Sequence, residues 1–155
     1  MKNAAHKLNQ YKVKEVMSKN VVSVGKDTIL VDLEAVFDKH KVHHLPVLDE
    51  QGKVIGIVSQ SDMLLIKEWG TDSKAKGIDA RNSILLRSNL VSDIMTSEPL
   101  TIGEEERIGK AVEIFLENNF KCLPVVNDNN MLCGIITTYD LLVLAYTDFN
   151  TTLID

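Results

Sequence analysis

The chain has 155 residues, of which 45% are hydrophobic and 25% charged, and its formal net charge is −5 at pH 7. This length allows one compact domain or two closely packed halves, and the acidic balance argues against nucleic acid or an anionic membrane as a partner. The longest apolar runs, such as Leu141–Tyr146, are too short to span a bilayer, so no membrane contact is expected.

The ends of the chain and its cysteines indicate a cytoplasmic protein. Residues 1–10 are polar and contain no secretion signal, and we predict a mobile tail there and a second one at residues 148–155. The two cysteines, Cys122 and Cys133, are typical of reduced thiols rather than of a disulfide framework.

The first half of the chain, residues 11–70, contains a regular succession of predicted elements. Asp27 or Thr28 is predicted to cap the first long helix, and Gly70 to end the last one. The elements are a short helix at Val13–Ser18, a strand at Val21–Val24, a helix with the apolar stripe Leu30, Leu33, Val36 and Phe37, strands at His44–Leu48 and Val54–Val58, and a helix from Ser59 to about Trp69. A turn at Asp49–Gly52 joins the last two strands, and the second of them is predicted to be buried on both faces.

The same succession of elements returns 78 residues later. Asp62 corresponds to Asp140, and the two copies align without a gap. Residues 71–90 have no counterpart and are predicted to be a connector with one short helix. The duplication predicts a two-lobed module that presents each binding motif twice, at a shared cleft. The second copy, residues 91–147, has its elements at Val91–Thr96, Leu100–Ile102, the stripe Ile108, Ala111, Val112 and Phe115, Cys122–Val126, Met131–Ile136 and Thr138–Thr147.

The most informative motif lies where the last strand of each copy meets the closing helix. Ser59 is followed three residues later by Asp62, and Thr137 by Asp140. One helical turn brings hydroxyl and carboxylate to the same side. A carboxylate accepts hydrogen bonds from two vicinal hydroxyls, and the free N–H groups of the helix end favour an anion. The motif therefore fits a ribose with a phosphate further away, while Gly56 would let a backbone or a flat ligand approach.

The alternative interpretation of this motif is a helix cap with an acidic residue in the first turn. That pattern is common, and capping and binding are compatible. Its occurrence at matched places in a duplicated unit favours the binding interpretation.

The segments before the two Leu-Pro-Val sequences contain further candidates. His43, His44 and Lys121 can carry positive charge and are candidate phosphate partners, with solvated side chains at a strand edge as the alternative. Adjacent histidines on a strand point to opposite faces, so we expect no metal site here. Ser59 has no predicted base partner and the chain has no phosphate-binding glycine loop, so we do not expect an enzyme.

The repeated Leu-Pro-Val, the Gly-hydrophobic-hydrophobic-Ser/Thr-x-x-Asp stretch and the Val-Met-Ser and Ile-Met-Thr segments resemble the CBS (cystathionine β-synthase) domain. The resemblance covers Val13–Leu65 and Val91–Ala145. It implies an α/β (α+β) fold of two β-α-β-β-α repeats packed about a pseudo-twofold axis, known as a Bateman module. It also implies homodimers, and clefts that bind AMP, ADP, ATP or S-adenosylmethionine.

The resemblance further implies roles for individual residues. Asp62 and Asp140 would bind the ribose hydroxyls, with Ser59 and Thr137 near ribose or phosphate. His44 and Lys121 are candidate phosphate contacts, but Cys122 offers no charge at the position that matches His44, and Tyr139 is bulky where Ser61 is small, so the two clefts need not both bind. The residues implied to line the adenine pocket are Val22, Val42, His43, Leu100, Phe120 and Lys121.

The sequence thus predicts an adenine-nucleotide sensor that has no cofactor of its own and regulates a partner protein. The predicted elements leave no room for an effector domain, so we expect a stand-alone CBS pair. A dimerisation module with empty clefts and a module that binds S-adenosylmethionine remain alternatives.

Overall fold

The computed structural model describes residues 9–68 and 78–151, and the side chains of residues 9–68 and 80–147. Most of the predicted N-terminal tail, the predicted cap Gly70, part of the connector and the last four residues lie outside these ranges. In chain order, the helices and strands are α1 (Val13–Val16), β1 (Val24–Gly25), α2 (Leu30–His40), β2 (His44–Leu48), β3 (Val54–Ser59), α3 (Gln60–Glu68), α4 (Ile78–Ser88), α5 (Val91–Ile94), β4 (Thr96–Ser97), β5 (Ile102–Gly103), α6 (Ile108–Asn118), β6 (Cys122–Val126), β7 (Leu132–Thr137) and α7 (Thr138–Thr151).

The chain folds into two compact units. One, here called the middle unit, is Val22–Pro99, and the other, the terminal unit, combines the described parts of Met1–Val21 and Leu100–Asp155. The units therefore differ from the sequence repeats. We call Val13–Ser18 and Val91–Thr96 the leading segments, and each belongs to the unit that contains the body of the other repeat.

The middle unit contains a four-stranded sheet in the order β1-β2-β3-β4. β1 runs parallel to β2, and β2, β3 and β4 pair antiparallel. The β2–β3 turn is the predicted one: Asp49 Oδ1 accepts the N–H groups of Gln51 and Lys53, each at 2.9 Å, and Gly52 has a φ of 81°. Its buried core consists of Val24, Leu30, Leu33, Phe37, Leu45, Val47, Val58, Met63, Leu86 and Val91.

The terminal unit contains a three-stranded sheet in the order β5-β6-β7, with β5 parallel to β6 and β6 antiparallel to β7. All five residues of β6 are buried, so this strand runs through the centre of the unit. Its buried core consists of Val13, Met17, Ile102, Ile108, Ala111, Ile114, Phe115, Leu123, Val125 and Ile136.

The leading segments are attached by backbone hydrogen bonds at matched places. Ser18 and Ile135 exchange N–H···O bonds of 2.9 and 3.0 Å at the edge of β7, while β4 pairs with β3 at Ile57 and Gly56. At the other end of each segment, backbone groups bond near the start of a long helix: the Val91 N–H donates to the Thr28 carbonyl and the Val13 N–H to the Glu106 carbonyl, each at 2.9 Å. Each leading segment thus joins a sheet edge to a helix start.

Two predicted features near the first long helix are wrong. The predicted strand at Val21–Val24 is shifted to β1, and α2 begins at Leu30 without the predicted Asp27 or Thr28 cap. Because the Asn89 carbonyl already accepts the N–H of Leu30, the helix start needs no side-chain cap there. The strand predicted at Leu100–Ile102 is likewise shifted, to β5.

Three other differences concern length and burial. Helix α4 has 11 residues where one short helix was predicted in the connector, and α7 continues to Thr151 instead of ending at Thr147. β3 alternates between buried and half-buried residues, so only one of its faces is fully covered. No helix in the described ranges is long and apolar enough to cross a membrane.

Candidate functional site

The Ser-x-x-Asp motif of the middle unit forms a closed ring of hydrogen bonds at the start of α3. The N–H and Oγ–H of Ser59 both donate to Asp62 Oδ2 at 2.7 Å, and the Asp62 N–H donates back to Ser59 Oγ at 3.2 Å. This reciprocal arrangement is a capping box, so the motif does cap the helix. Both residues are half-buried, and the ring uses the Oδ2 oxygen of the carboxylate.

The terminal unit repeats this geometry at the start of α7. The N–H and Oγ1–H of Thr137 donate to Asp140 Oδ2 at 2.8 and 2.6 Å, and the Asp140 N–H donates to Thr137 Oγ1 at 3.2 Å. The duplication seen in the sequence is therefore also a duplication of the site geometry.

The backbone places the predicted phosphate residues beside these rings. His44 of β2 pairs with Ser59 of β3, and the Gln60 N–H donates to the His43 carbonyl at 3.0 Å. In the terminal unit Cys122 pairs with Thr137, and the Thr138 N–H donates to the Lys121 carbonyl at 3.1 Å. In each unit the pre-proline segment and the hydroxyl–aspartate ring thus form one neighbourhood.

The side chains of the two neighbourhoods differ. The exposed imidazole of His43 lies with Nδ1 2.9 Å from Gln60 Oε1, and His44 is half-buried. Lys121 is exposed, whereas Cys122 is only 7% exposed. Burial, helped by the Asp140 carboxylate, raises the pKa of the Cys122 thiol to about 12, so this position stays neutral.

The apolar candidates for the adenine pocket also differ between the units. Val22 and Val42 are half-buried and pack against the core of the middle unit. Leu100 and Phe120 are 48% and 42% exposed in the terminal unit. The terminal unit therefore offers more accessible apolar surface at these positions.

The space over Gly56 is occupied by protein and is not open to a ligand. A Cβ on Gly56 would lie 2.5 Å from Sδ of Met95, in the leading segment of the same unit. The expectation that a backbone approaches Gly56 agrees with the pairing of Gly56 with Ser97 of β4, whereas the expectation of a flat ligand is wrong because Met95 fills the space.

Two surface cavities lie elsewhere, at matched turns of the two units. One of about 650 Å³ adjoins Thr28 and the Asp49–Gln51 turn, and one of about 520 Å³ adjoins Glu105 and the Asn127–Asn129 turn. Neither includes a residue of the hydroxyl–aspartate rings. Within the described ranges, no group of three or more His, Cys, Asp or Glu side chains is arranged to hold a metal ion.

Sequence reasoning missed Gln60. Its amide contacts His43, which is 17 residues away in the chain, and only the β2–β3 pairing brings the two together. The one available signal was its position directly after Ser59, at the start of a predicted helix.

Comparisons with known proteins agree with this architecture. The family model of the CBS domain matches residues 13–67 and 91–146. A CBS domain-containing protein of Dictyostelium discoideum is 32% identical over 133 residues, which are 85% of this chain and 89% of that protein. The chloroplastic CBS domain-containing protein CBSX1 of Arabidopsis thaliana is 34% identical over 144 residues, which are 82% of this chain and 61% of that protein.

Among solved structures, CBSX2 in complex with AMP is 28% identical, with a TM-score of 0.74 over 88% of this chain and 97% of that one. CBSX2 is a CBS-pair protein of Arabidopsis thaliana. With matches on both repeats and a shared fold, this chain belongs to the CBS domain family and carries two CBS domains in tandem.

Proposed function

We propose that this chain is a regulatory module that binds an adenosine-containing ligand, such as AMP, ADP or ATP, at one site in each unit. The observation that carries the proposal is the hydroxyl–aspartate ring, built twice with the same hydrogen bonds. The 28% identity to CBSX2, which was solved with AMP, supports the class of ligand.

In this proposal the aspartates bind the ribose. The ring uses Oδ2 of Asp62 and Asp140, and the Oδ1 atoms would accept a ribose hydroxyl. Because the capping bonds already hold each carboxylate in one orientation, little side-chain entropy is lost when the ribose binds. The N-terminal N–H groups of α3 and α7 would favour the phosphate.

The remaining candidates would contact the base and the phosphate. In the middle unit these are Val22 and Val42 for adenine and His44 for phosphate, with His43 serving both. In the terminal unit they are Leu100 and Phe120 for adenine, with Lys121 serving both.

A thermal-shift panel with AMP, ADP, ATP and S-adenosylmethionine tests the proposal. A ligand present at one hundred times its dissociation constant should stabilise the folded protein by about 2.7 kcal/mol. A melting temperature that none of the four changes at millimolar concentration would contradict nucleotide binding and favour a dimerisation module with empty sites. A shift with S-adenosylmethionine alone would favour that ligand over the nucleotides.

We further propose that the module is a homodimer. Four residues of α7 at helical spacing, Tyr139, Leu142, Val143 and Tyr146, are 44–70% exposed, and Leu64 of α3 is 57% exposed. Helix faces of this kind are commonly covered by another chain.

Sedimentation should give twice the 17.3 kDa mass of one chain. Leu142→Lys should shift it towards the monomer, whereas Ile84→Lys, at an equally exposed position on α4, should not.

The proposed output is regulation of a partner protein in the cytoplasm, without catalysis by this chain. The hydroxyls of Ser59 and Thr137 are engaged with carboxylates, and the raised pKa of Cys122 makes it a poor nucleophile. Cys122 and Cys133 are both free thiols, which agrees with a reducing compartment. A partner captured from extract only in the presence of AMP would support this role, and one captured equally without AMP would contradict it.

A further inference from the structure

The two candidate sites share their hydroxyl–aspartate rings but not the groups beside them. At the positions of His43, His44 and Gln60 in the middle unit, the terminal unit has Lys121, Cys122 and Thr138. A phosphate at either site would therefore meet ionisable groups of different kinds. The following inference rests on the proposed function, because it concerns the same two sites.

In the middle unit, Gln60 holds the His43 ring in a defined orientation. Its partner is Gln60 Oε1, 2.9 Å from Nδ1, and an amide oxygen can only accept. Nδ1 therefore carries a hydrogen and donates a hydrogen bond to that oxygen. Nε2 is then the ring nitrogen that remains for a ligand. In the neutral ring Nε2 is an acceptor and opposes a phosphate oxygen, whereas in the protonated ring it is a donor and binds one.

In the terminal unit, the corresponding positions carry no imidazole. Lys121 supplies an ammonium group in place of the His43 ring. Cys122 is buried and its thiol remains protonated and neutral. No histidine lies among the described residues of this unit, 9–21 and 100–151.

The surroundings of His43 include two further imidazoles, those of His44 and His40. Neither β1 nor β3 carries an ionisable side chain, and β2 carries only His44. Glu34 and Lys67 bind each other. The other charged or titratable side chains on the adjacent helices are Asp32, Asp38, Lys39, His40 and Lys41 on α2 and its C-cap, and Asp62 and Glu68 on α3. His40 is an imidazole outside the hydroxyl–aspartate neighbourhood and therefore provides a control.

We propose that the middle-unit site binds phosphorylated adenosine more tightly as the pH falls from 8 to 6, through His43 and His44 with Gln60 as the positioning residue, whereas the terminal-unit site lacks this dependence. The middle-unit site would then respond to both nucleotide concentration and pH, and the terminal-unit site to nucleotide concentration alone.

Calorimetric titration with AMP at pH 6 and pH 8 tests this inference in variants that retain one site each. Asp140→Ala retains the middle site and Asp62→Ala the terminal site. The second ionisation of the phosphate, with a pKa of about 6, affects both variants equally and cancels in the comparison. The gain in affinity from pH 8 to pH 6 should be about tenfold larger for Asp140→Ala, which is the effect of one unit of coupled pKa shift.

Further variants identify the groups responsible, in the Asp140→Ala background. Gln60→Ala should reduce the pH dependence of AMP binding by more than it changes the affinity for adenosine, which has no phosphate. Gln60→Glu keeps an acceptor for Nδ1–H and should move the midpoint of the pH profile upward, because a nearby carboxylate raises the pKa of an imidazole. His40→Gln should leave the profile unchanged.

Equal pH profiles for the two single-site variants would overturn the inference while the proposed function stands. If the unmodified protein does not bind AMP at either pH, the proposed function itself is overturned. If either alanine variant fails to fold, Asp140→Asn and Asp62→Asn, which keep an oxygen to cap the helix, make the same comparison with the same two outcomes.

Discussion

Asp62 and Asp140 each hold a helix start in place before any ligand arrives. Each carboxylate accepts two bonds from the residue three positions earlier, and that residue's hydroxyl accepts one in return. A substitution at either aspartate therefore affects folding stability and ligand affinity together, and the two effects must be measured separately.

We expect Asp62→Ala to lower the free energy of unfolding by about 1 kcal/mol, the usual effect of losing a helix cap, and to weaken AMP binding at the middle site. Asp62→Asn should lose less stability, because its amide oxygen still accepts the capping bonds. Asp93 is a matched control, since its Oδ2 accepts the Leu90 N–H at 2.7 Å at the start of α5.

Urea unfolding and calorimetry distinguish these effects. Asp93→Ala should lower stability without changing AMP affinity. If Asp62→Ala and Asp140→Ala both bind AMP as the unmodified protein does, the ribose assignment is incorrect.

The Glu105 carboxylate pairs with the ammonium groups of Lys12, at 2.5 Å, and Lys14, and so joins the two chain segments of the terminal unit. These two ammonium groups, Lys12 first, lower the pKa of the Glu105 carboxyl to about 2 from its usual value of 4.5. The folded-state pKa is the lower one, so the stabilisation is complete above pH 4.5 and is lost as the pH falls towards 2.

We accordingly expect Glu105→Gln to be less stable than the unmodified protein at pH 6, with the difference shrinking between pH 4.5 and pH 2. The Glu105 side chain is 57% exposed, so added salt should also shrink the difference. Thermal unfolding across this pH range is the measurement, and Glu106→Gln is the control. A difference that stays constant down to pH 2 would rule out the linkage.

At the scale of elements, the close approach of each leading segment to a strand depends on a glycine. A Cβ on Gly56 would meet the flexible side chain of Met95 first, and then Val47 Cβ at 3.2 Å. A Cβ on Gly134 would overlap Met17 and also lie 2.9 Å from the carbonyl oxygen of Ser18. A side chain can move aside, but a backbone carbonyl that is bonded into a sheet edge cannot.

Both Gly56→Ala and Gly134→Ala should be destabilising, by about 1–3 kcal/mol for overpacking, and Gly134→Ala should be the more severe. Met95→Ala should partly rescue Gly56→Ala, so that the double variant loses less than the sum of the two single losses. Met17→Ala should not rescue Gly134→Ala to the same extent. Chemical denaturation of the four single and two double variants measures this, and equal rescue in both pairs would contradict it.

The sequence predicted the elements of the repeat body well, because their signals are local. The stripe from Leu30 to Phe37, the Leu-Pro-Val strands and the Asp49–Gly52 turn all agree with the structure. The missing side-chain cap of α2 could not be predicted, since the Asn89 carbonyl, distant in the chain, accepts the N–H of Leu30. The position of β1 depends on its pairing with β2, which joins Val24 to Val47. The bond between Gln60 and His43 could not be predicted either, because it also joins residues that are distant in the chain.

The ring geometry of the candidate site was predictable to a similar degree. Ser59 and Asp62 stand three residues apart, so helical spacing alone brings them together. The exposure of Phe120 and the burial of Cys122 were not predictable, because they depend on how the terminal unit packs.

At the scale of the whole molecule, each unit combines the body of one repeat with the leading segment of the other. Val13 begins the first repeat in sequence but lies in the core of the terminal unit, and Val91 begins the second repeat but lies in the core of the middle unit. Both side chains are 0% exposed, so the two positions form a matched pair.

Val13→Ala should reduce the stability of the terminal unit by roughly 2 kcal/mol, the magnitude for a buried valine, and Val91→Ala that of the middle unit. Amide hydrogen exchange should therefore accelerate more in β6 and β7 for Val13→Ala, and more in β2 and β3 for Val91→Ala. The opposite pattern would show that the units coincide with the sequence repeats.

The placement of the first leading segment also has a consequence for how the protein is made. A ribosome releases Val13 and Met17 early, but the strand edge that Ser18 joins, at Ile135, is synthesised more than a hundred residues later. During that interval the middle unit can be completed, because its leading segment Val91–Thr96 emerges directly after its body. The apolar side chains of this segment therefore remain without their partner strand until Ile135 has been translated, and a chaperone that shields the segment would act in that interval.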